Sequence, residues 1–179
     1  MANICSFSMC VKGTYENIES FYNALIQKGT IWMGRGGDAE IHYEDDGKAF
    51  IDGWCKWSIY SALINNAISM RTEPDLWYHG DEPEVLEFIT LEEACAKWCL
   101  EMEVYSEEYG CCFQEHYLIN NDEVIINDCV EACEYDLYEY ETKEEAEAEF
   151  KIKLSDEEWD KHKGDRFTVG GFENWDFEI

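Results

Sequence analysis

Leu100-Glu101-Met102-Glu103-Val104-Tyr105 alternates the apolar Leu, Met and Val with two glutamates and a tyrosine. That is the period of a β-strand with one face toward a core. Downstream, Phe113-Gln114-Glu115-His116-Tyr117-Leu118-Ile119 is a second candidate strand, and Asn120-Asn121-Asp122 turns the chain into Val124-Ile125-Ile126. Upstream, Thr90-Leu91-Glu92-Glu93 is a capping box that opens a helix running to Cys99.

Further toward the N-terminus, Ile4 to Val11 reads as a strand ending at Gly13. Thr14 then caps a helix with Ile18, Phe21, Tyr22 and Leu25 on one face and Gly29 at its C′ position. The runs Glu40-Ile41-His42-Tyr43 and Ala49 to Trp54 flank Asp45-Asp46-Gly47, a strong hairpin signal. Ile59 to Met70 reads as another helix, and Arg71 to Pro83, with both prolines, as an irregular connection. Beyond Asp128 a strand is expected near Tyr135 to Tyr140. Thr142-x-x-Glu145 and Ser155-x-x-Glu158 predict two short helices, and Gly164, Gly170 and Gly171 break the end into extended pieces.

Taken in order, these elements predict an α+β fold: a ferredoxin-like βαββαβ core with an inserted helix, an appended hairpin and an acidic C-terminal extension. The core with its hairpin spans residues 1–127, and the extension, 128–179, packs on the same domain. No repeat or flexible linker divides the chain.

Of 179 residues, 46% are hydrophobic and 15% aromatic, too much apolar material for a disordered acidic tail. The charge is extreme, with 13 Lys+Arg against 41 Asp+Glu and a net −28. Direct binding to nucleic acid or to an anionic membrane is therefore disfavoured, and the field attracts cationic partners. Nine cysteines form an odd set, and the segment from Met1 to Cys5 lacks the features of an export signal, so a cytoplasmic protein with reduced thiols is expected. No apolar run reaches the roughly 20 residues of a membrane span.

Asn3-x-Cys5, Gly13, Ile18 and Phe21, Trp54-x-x-Trp57, and Glu103-x-Tyr105-x-Glu107-x-x-Gly110-x-x-Phe113 followed by a short hairpin resemble the YubB ferredoxin-like family of phage and mobile-element proteins. The likeness is scattered over about residues 3 to 127. It implies a phage or plasmid setting and a ferredoxin-like core, and it carries over no catalytic residue.

From Trp98 to Thr142 the chain has no Lys or Arg. Candidate partner-binding residues are taken from this stretch and the helix start after it: Glu101, Glu103, Glu107, Glu108, Glu131, Glu134, Asp136, Tyr138, Glu139, Tyr140, Glu141, Glu144 and Glu145. A chain this size exposes roughly 9,000 Å², or about one net charge per 320 Å², whereas duplex DNA carries about one per 110 Å². Mimicry of nucleic acid therefore demands acids clustered on one face. The plain alternative is a solubilising surface. Rings interleaved with acids, in Tyr135 to Tyr140 and in Trp175-Asp176-Phe177-Glu178, suit an arginine-bearing surface, and equally suit a core.

Other chemistry is thinly represented. Cys95-x-x-x-Cys99 and Cys129-x-x-x-Cys133, with Cys111, Cys112 and His116, could supply zinc ligands, but the usual Cys-x-x-Cys knuckle is absent and no cofactor is expected. On one strand, Cys112 and His116 would stand about 13 Å apart, too far for a nucleophile–base pair. Gly34-x-Gly36-Gly37 precedes a strand and lacks the context of a phosphate loop, and no acidic run has calcium-loop spacing.

The leading expectation is a non-enzymatic inhibitor, of phage or mobile-element type, that sets an acidic face in the nucleic-acid channel of a basic host protein. A CRISPR effector is one such protein, which makes an anti-CRISPR the sharpest form of this reading. An acidic scaffold without mimicry is the second reading, and a thiol- or metal-dependent enzyme the third.

Overall fold

A computed structural model describes residues 4–26, 31, 37–44, 46–65 and 88–179. In chain order the elements are β1 (Ile4–Lys12), α1 (Tyr15–Ile26), β2 (Asp38–Tyr43), β3 (Lys48–Lys56) and a π-helical turn (Tyr60–Asn65). Then come α2 (Leu91–Trp98), β4 (Glu101–Glu108), β5 (Phe113–Asn120), β6 (Glu123–Asp136), a 3-10 turn (Leu137–Glu139), α3 (Lys143–Phe150), α4 (Asp156–His162) and β7 (Arg166–Gly170). The chain is α+β, built on a seven-stranded sheet of order β2-β3-β1-β4-β5-β6-β7. Every adjacent pair is antiparallel.

Pairing register assigns the two faces. Val11 lies opposite Met102 and Met9 opposite Val104, and these apolar side chains form the core with Ile18, Phe21 and Leu25 of α1 and with Leu91, Ala94 and Cys95 of α2. α1 starts where the Thr14 hydroxyl accepts from the Asn17 N–H at 3.3 Å. α2 starts on the complete Thr90–Glu93 capping box and stops at Cys99, whose φ of 50° is left-handed. The ring of Phe21, with no exposed surface, meets Trp98 edge-on at 6.2 Å. Truncating Phe21 to alanine is expected to cost about 3–5 kcal/mol in urea unfolding, because it leaves a cavity under both helices. A variant that unfolds like the parent would remove α1 from the core.

One expectation changes near the end of the chain. The strand expected near Tyr135 to Tyr140 stops at Asp136, and Leu137–Glu139 is a 3-10 turn. Leu137 is fully buried with Ala146 and Leu154 in a second, smaller core, so the chain folds inward there instead of continuing along the sheet. The division at 127/128 falls inside β6, which runs unbroken from Glu123 to Asp136. Of the helix expected over Ile59 to Met70, the described part is the π-helical turn; residues 66–70, Gly29, Asp45 and the connection from Arg71 to Pro83 lie outside the described residues.

Candidate functional site

The sheet face opposite the helices carries Glu103, Tyr105 and Glu107 from β4, with Leu118, His116 and Gln114 as their partners on β5. Alternation leads one to expect this face to be open. Instead, residues 171–179 cross it as a strap. Gly170 and Gly171 make the turn onto the face with φ of 81° and 82°, a left-handed pair that L side chains rarely adopt. A Cβ at Gly170 would sit 2.3 Å from the Glu131 carbonyl oxygen.

Side chains of the sheet hold the strap. The Phe172 N–H donates to Gln114 Oε1 at 2.8 Å, the Glu178 N–H to Glu103 Oε2 at 2.6 Å, and the Tyr105 hydroxyl to the Asp176 carbonyl at 3.4 Å. Tyr105 is the hub of the rings, stacked on His116 at 4.1 Å and on Trp175 at 5.7 Å, with Phe172 and Phe177 edge-on. Glu103 has no exposed surface, and His116 Nε2 lies 2.8 Å from its Oε1.

Burial, together with the Glu103, Glu178 and Asp176 carboxylates, pushes the Tyr105 phenol up to about 12, from an ordinary value of 10.0. The Tyr109 phenol is raised to about 12 by burial and by its hydrogen bond to Glu107. Folded values above the unfolded one mean that this stabilisation is complete below pH 10.0 and is lost as pH rises toward 12. Alkaline titration followed by circular dichroism should show unfolding in that window, with a shallower loss in Tyr105→Phe. A parent protein unchanged through that window would rule the linkage out.

On the helix face, Glu115 is buried and accepts from the Ile59 N–H at 2.8 Å, the Tyr60 N–H at 3.3 Å, Ser106 Oγ at 2.8 Å and the Tyr117 hydroxyl at 3.4 Å. Its carboxylate is the N-terminal anchor of the π-helical turn. Glu108 is also buried, with one oxygen accepting from the Gly110 N–H at 3.2 Å and the other without a hydrogen-bond partner among the described residues.

The sequence-selected acids therefore divide by location. Glu103 and Glu108 are interior and leave the exposed set. Glu107 is half-buried and accepts from the Tyr109 hydroxyl at 2.6 Å, and Glu101 lies 3.8 Å from Lys12 Nζ across the β1–β4 pair. Glu134 and Asp136 both face Arg166, each with an oxygen 3.2 Å from a guanidinium nitrogen. Tyr140 packs into the second core, its ring 5.2 Å from that of Phe150, while Tyr138 is 53% exposed. Glu131, Glu139, Glu141, Glu144 and Glu145 are exposed. Of these, Glu139 to Glu145 fall together on the 3-10 turn and the first turn of α3, where the Thr142 hydroxyl accepts from the Glu145 N–H at 3.3 Å. The one cation of this segment, Lys143, is ion-paired to Asp156 at the start of α4.

All nine cysteines are free thiols. Cys95 is buried and pushed up to about 12, by burial first and then by Glu92, which disfavours the thiolate. Cys129 and Cys133 lie on β6 and not on a helix. Cys112 Sγ donates to the Tyr109 carbonyl at 3.6 Å, whereas His116 is engaged by Glu103, so each has a partner other than the other. Among the described residues no group of three or more His, Cys, Asp or Glu is arranged to hold a metal ion. Alkylation of denatured, unreduced protein is expected to add nine labels, and fewer would reveal disulfides.

No helix among the described residues is long and apolar enough to cross a membrane. No protein-family model, curated protein or solved structure matches the chain.

Proposed function

We propose that this protein binds a basic, nucleic-acid-handling protein through its exposed acids, which stand where phosphates would otherwise lie. The observation that carries the reading is the cluster Glu139, Glu141, Glu144 and Glu145, all exposed on one turn and the helix start that follows it, beside the exposed ring of Tyr138. The surface of 10,621 Å² bears one net charge per about 380 Å² if the 28 are spread evenly, more than threefold sparser than duplex DNA. Only a local cluster can reach the density of a phosphate backbone. An arginine-bearing groove would pair with these carboxylates and stack on Tyr138.

The first four strands and two helices are, in this reading, a ferredoxin-like unit. Strand order β2-β3-β1-β4 supports it, as do α1 and α2 packed on one face. An inhibitor carried by a phage or mobile element, acting on a defence protein such as a CRISPR effector, is the setting that the YubB resemblance favours. The pairing of Glu134 and Asp136 with Arg166 favours the competing reading, a scaffold without mimicry, because it neutralises part of the acidic surface.

Capture from a bacterial lysate, eluted with rising salt, tests the proposal. The bound protein should release as the Debye length falls from about 10 Å at 0.1 M to 3 Å at 1 M, and its own nucleic acid should displace it. A partner that binds together with its nucleic acid, without competition, would leave the scaffold reading in place.

A further inference from the structure

Residues 171–179 carry Glu173, Asp176 and Glu178 and no Lys or Arg, yet they lie on a face that itself presents Glu103 and Glu107. Glu173, Asp176 and Glu178 are exposed, so the strap lays three further acids over a face that already carries two. The Tyr105 hydroxyl lies 3.5 Å from Glu103 Oε1 below it and 3.4 Å from the Asp176 carbonyl of the strap. What the strap offers this face is two neutral backbone N–H groups, at Phe172 and Glu178, the carbonyls of Asp176 and Ile179, and the rings of Phe172, Trp175 and Phe177.

We propose that this face is a docking site for an arginine-bearing extended peptide of the cationic partner, which binds by displacing residues 171–179. The inference rests on the cationic-partner reading above and assigns it a second contact site, away from the exposed acids after β6.

Two of the strap contacts have a stronger cationic counterpart. A guanidinium donating to Glu103 in place of the Glu178 N–H makes a charge-assisted hydrogen bond, roughly twice as strong as a neutral one. A guanidinium also stacks on an aromatic face, so it can take the position of the Trp175 indole over Tyr105. Gln114 Oε1, which accepts from the Phe172 N–H, would accept a peptide N–H from the incoming chain equally well. Such a peptide brings positive charge beside Glu103 and Glu107, where the strap brings acids.

The strap is also built to leave. Residues 171–179 form no helix or strand, and their one backbone–backbone hydrogen bond to the sheet is at the root of the strap, from the Gly171 N–H to the Glu131 carbonyl at 2.8 Å. Gly170 and Gly171, at φ of 81° and 82°, give a turn whose backbone is free to reorient.

The experiment uses the full chain and a short synthetic peptide of alternating arginine and glycine. Binding is measured at low salt by calorimetry, and amide hydrogen exchange is followed in the 171–179 segment. The proposal expects saturating peptide to speed exchange there at least about tenfold, as for any segment released from its contacts. It also expects Trp175→Ala to bind the peptide about threefold tighter or more, because a weakened strap raises the fraction of chains with the face open. Peptide that binds while exchange in the strap stays unchanged or slows would overturn this site and leave the cationic-partner reading standing. Weaker binding by Trp175→Ala would make Trp175 a contact instead of a competitor, which also overturns the displacement. A chain that takes no arginine peptide at low salt loses both readings.

Discussion

Glu115→Ala is expected to lower unfolding stability by about 4–6 kcal/mol, a large part of what holds a domain of this size together. The carboxylate is buried and surrounded only by donors: the N–H groups of Ile59 and Tyr60 and the hydroxyls of Ser106 and Tyr117. Removing it leaves the buried Ile59 N–H and the part-buried Tyr60 N–H without this acceptor, at up to about 1–3 kcal/mol each, and opens a cavity beside Tyr117. The hydroxyls can rotate to other acceptors, but the backbone groups cannot. Glu115→Gln separates hydrogen bonding from packing, because its volume is nearly unchanged while its amide NH₂ is forced toward a donor. It should still lose about 2–3 kcal/mol. Chemical denaturation of the three proteins checks the order alanine, glutamine, parent. Equal stability of Glu115→Gln and the parent would mean that the carboxylate does not anchor the π-helical turn.

Glu115 also marks the limit of what could be read from sequence. The alternation in Leu100 to Tyr105 correctly places Met102 and Val104 toward the helices and Glu103 and Tyr105 on the other face. It says nothing of what later covers that other face, and the group that does so for Glu103 is Glu178, 75 residues further on. The donors of Glu115 at Ile59 and Tyr60 are likewise 56 and 55 residues away. A period-2 pattern reports which side of a sheet a residue takes, whereas burial of a carboxylate depends on contacts with no local signature.

Capping boxes fared better because their chemistry is local. Thr90 with Glu93, and Ser155 with Glu158, each form both reciprocal bonds, and Thr142 with Glu145 forms one of the two. Tyr135 to Tyr140 misled because alternating rings and acids fit a strand, while the residue that decides the matter, Leu137, is drawn into a core made by Ala146 and Leu154 downstream. Trp175 and Phe177 carried a signal that could be read as core or as partner contact, and in the folded chain they pack on the ring of Tyr105.

Reversing Glu139, Glu141, Glu144 and Glu145 to lysine is expected to weaken binding to a basic partner at least about 100-fold at 0.1 M salt. Each reversal turns an attraction into a repulsion, at about 1 kcal/mol per exposed charge in a groove. The choice of positions follows from the structure. Glu134 and Asp136 are left alone because a lysine there would face Arg166 and disturb the β6–β7 pair. Glu144 and Glu145 sit in the first turn of α3, so their reversal opposes the helix dipole and costs about 0.3–1 kcal/mol each, offset by relief of self-repulsion in so acidic a chain. The fold should therefore survive, and circular dichroism will show whether it does. Four reversals move the net charge from −28 to −20, and charge alone could weaken binding. The control carries the same change at Glu16, Glu19, Glu40 and Glu44, exposed acids on α1 and the β2–β3 hairpin. A local phosphate-like cluster requires the first variant to lose binding and the control to keep most of it. Equal loss in the two would reduce the interaction to a long-range attraction by total charge, and no loss in the first would remove the turn and α3 from the interface.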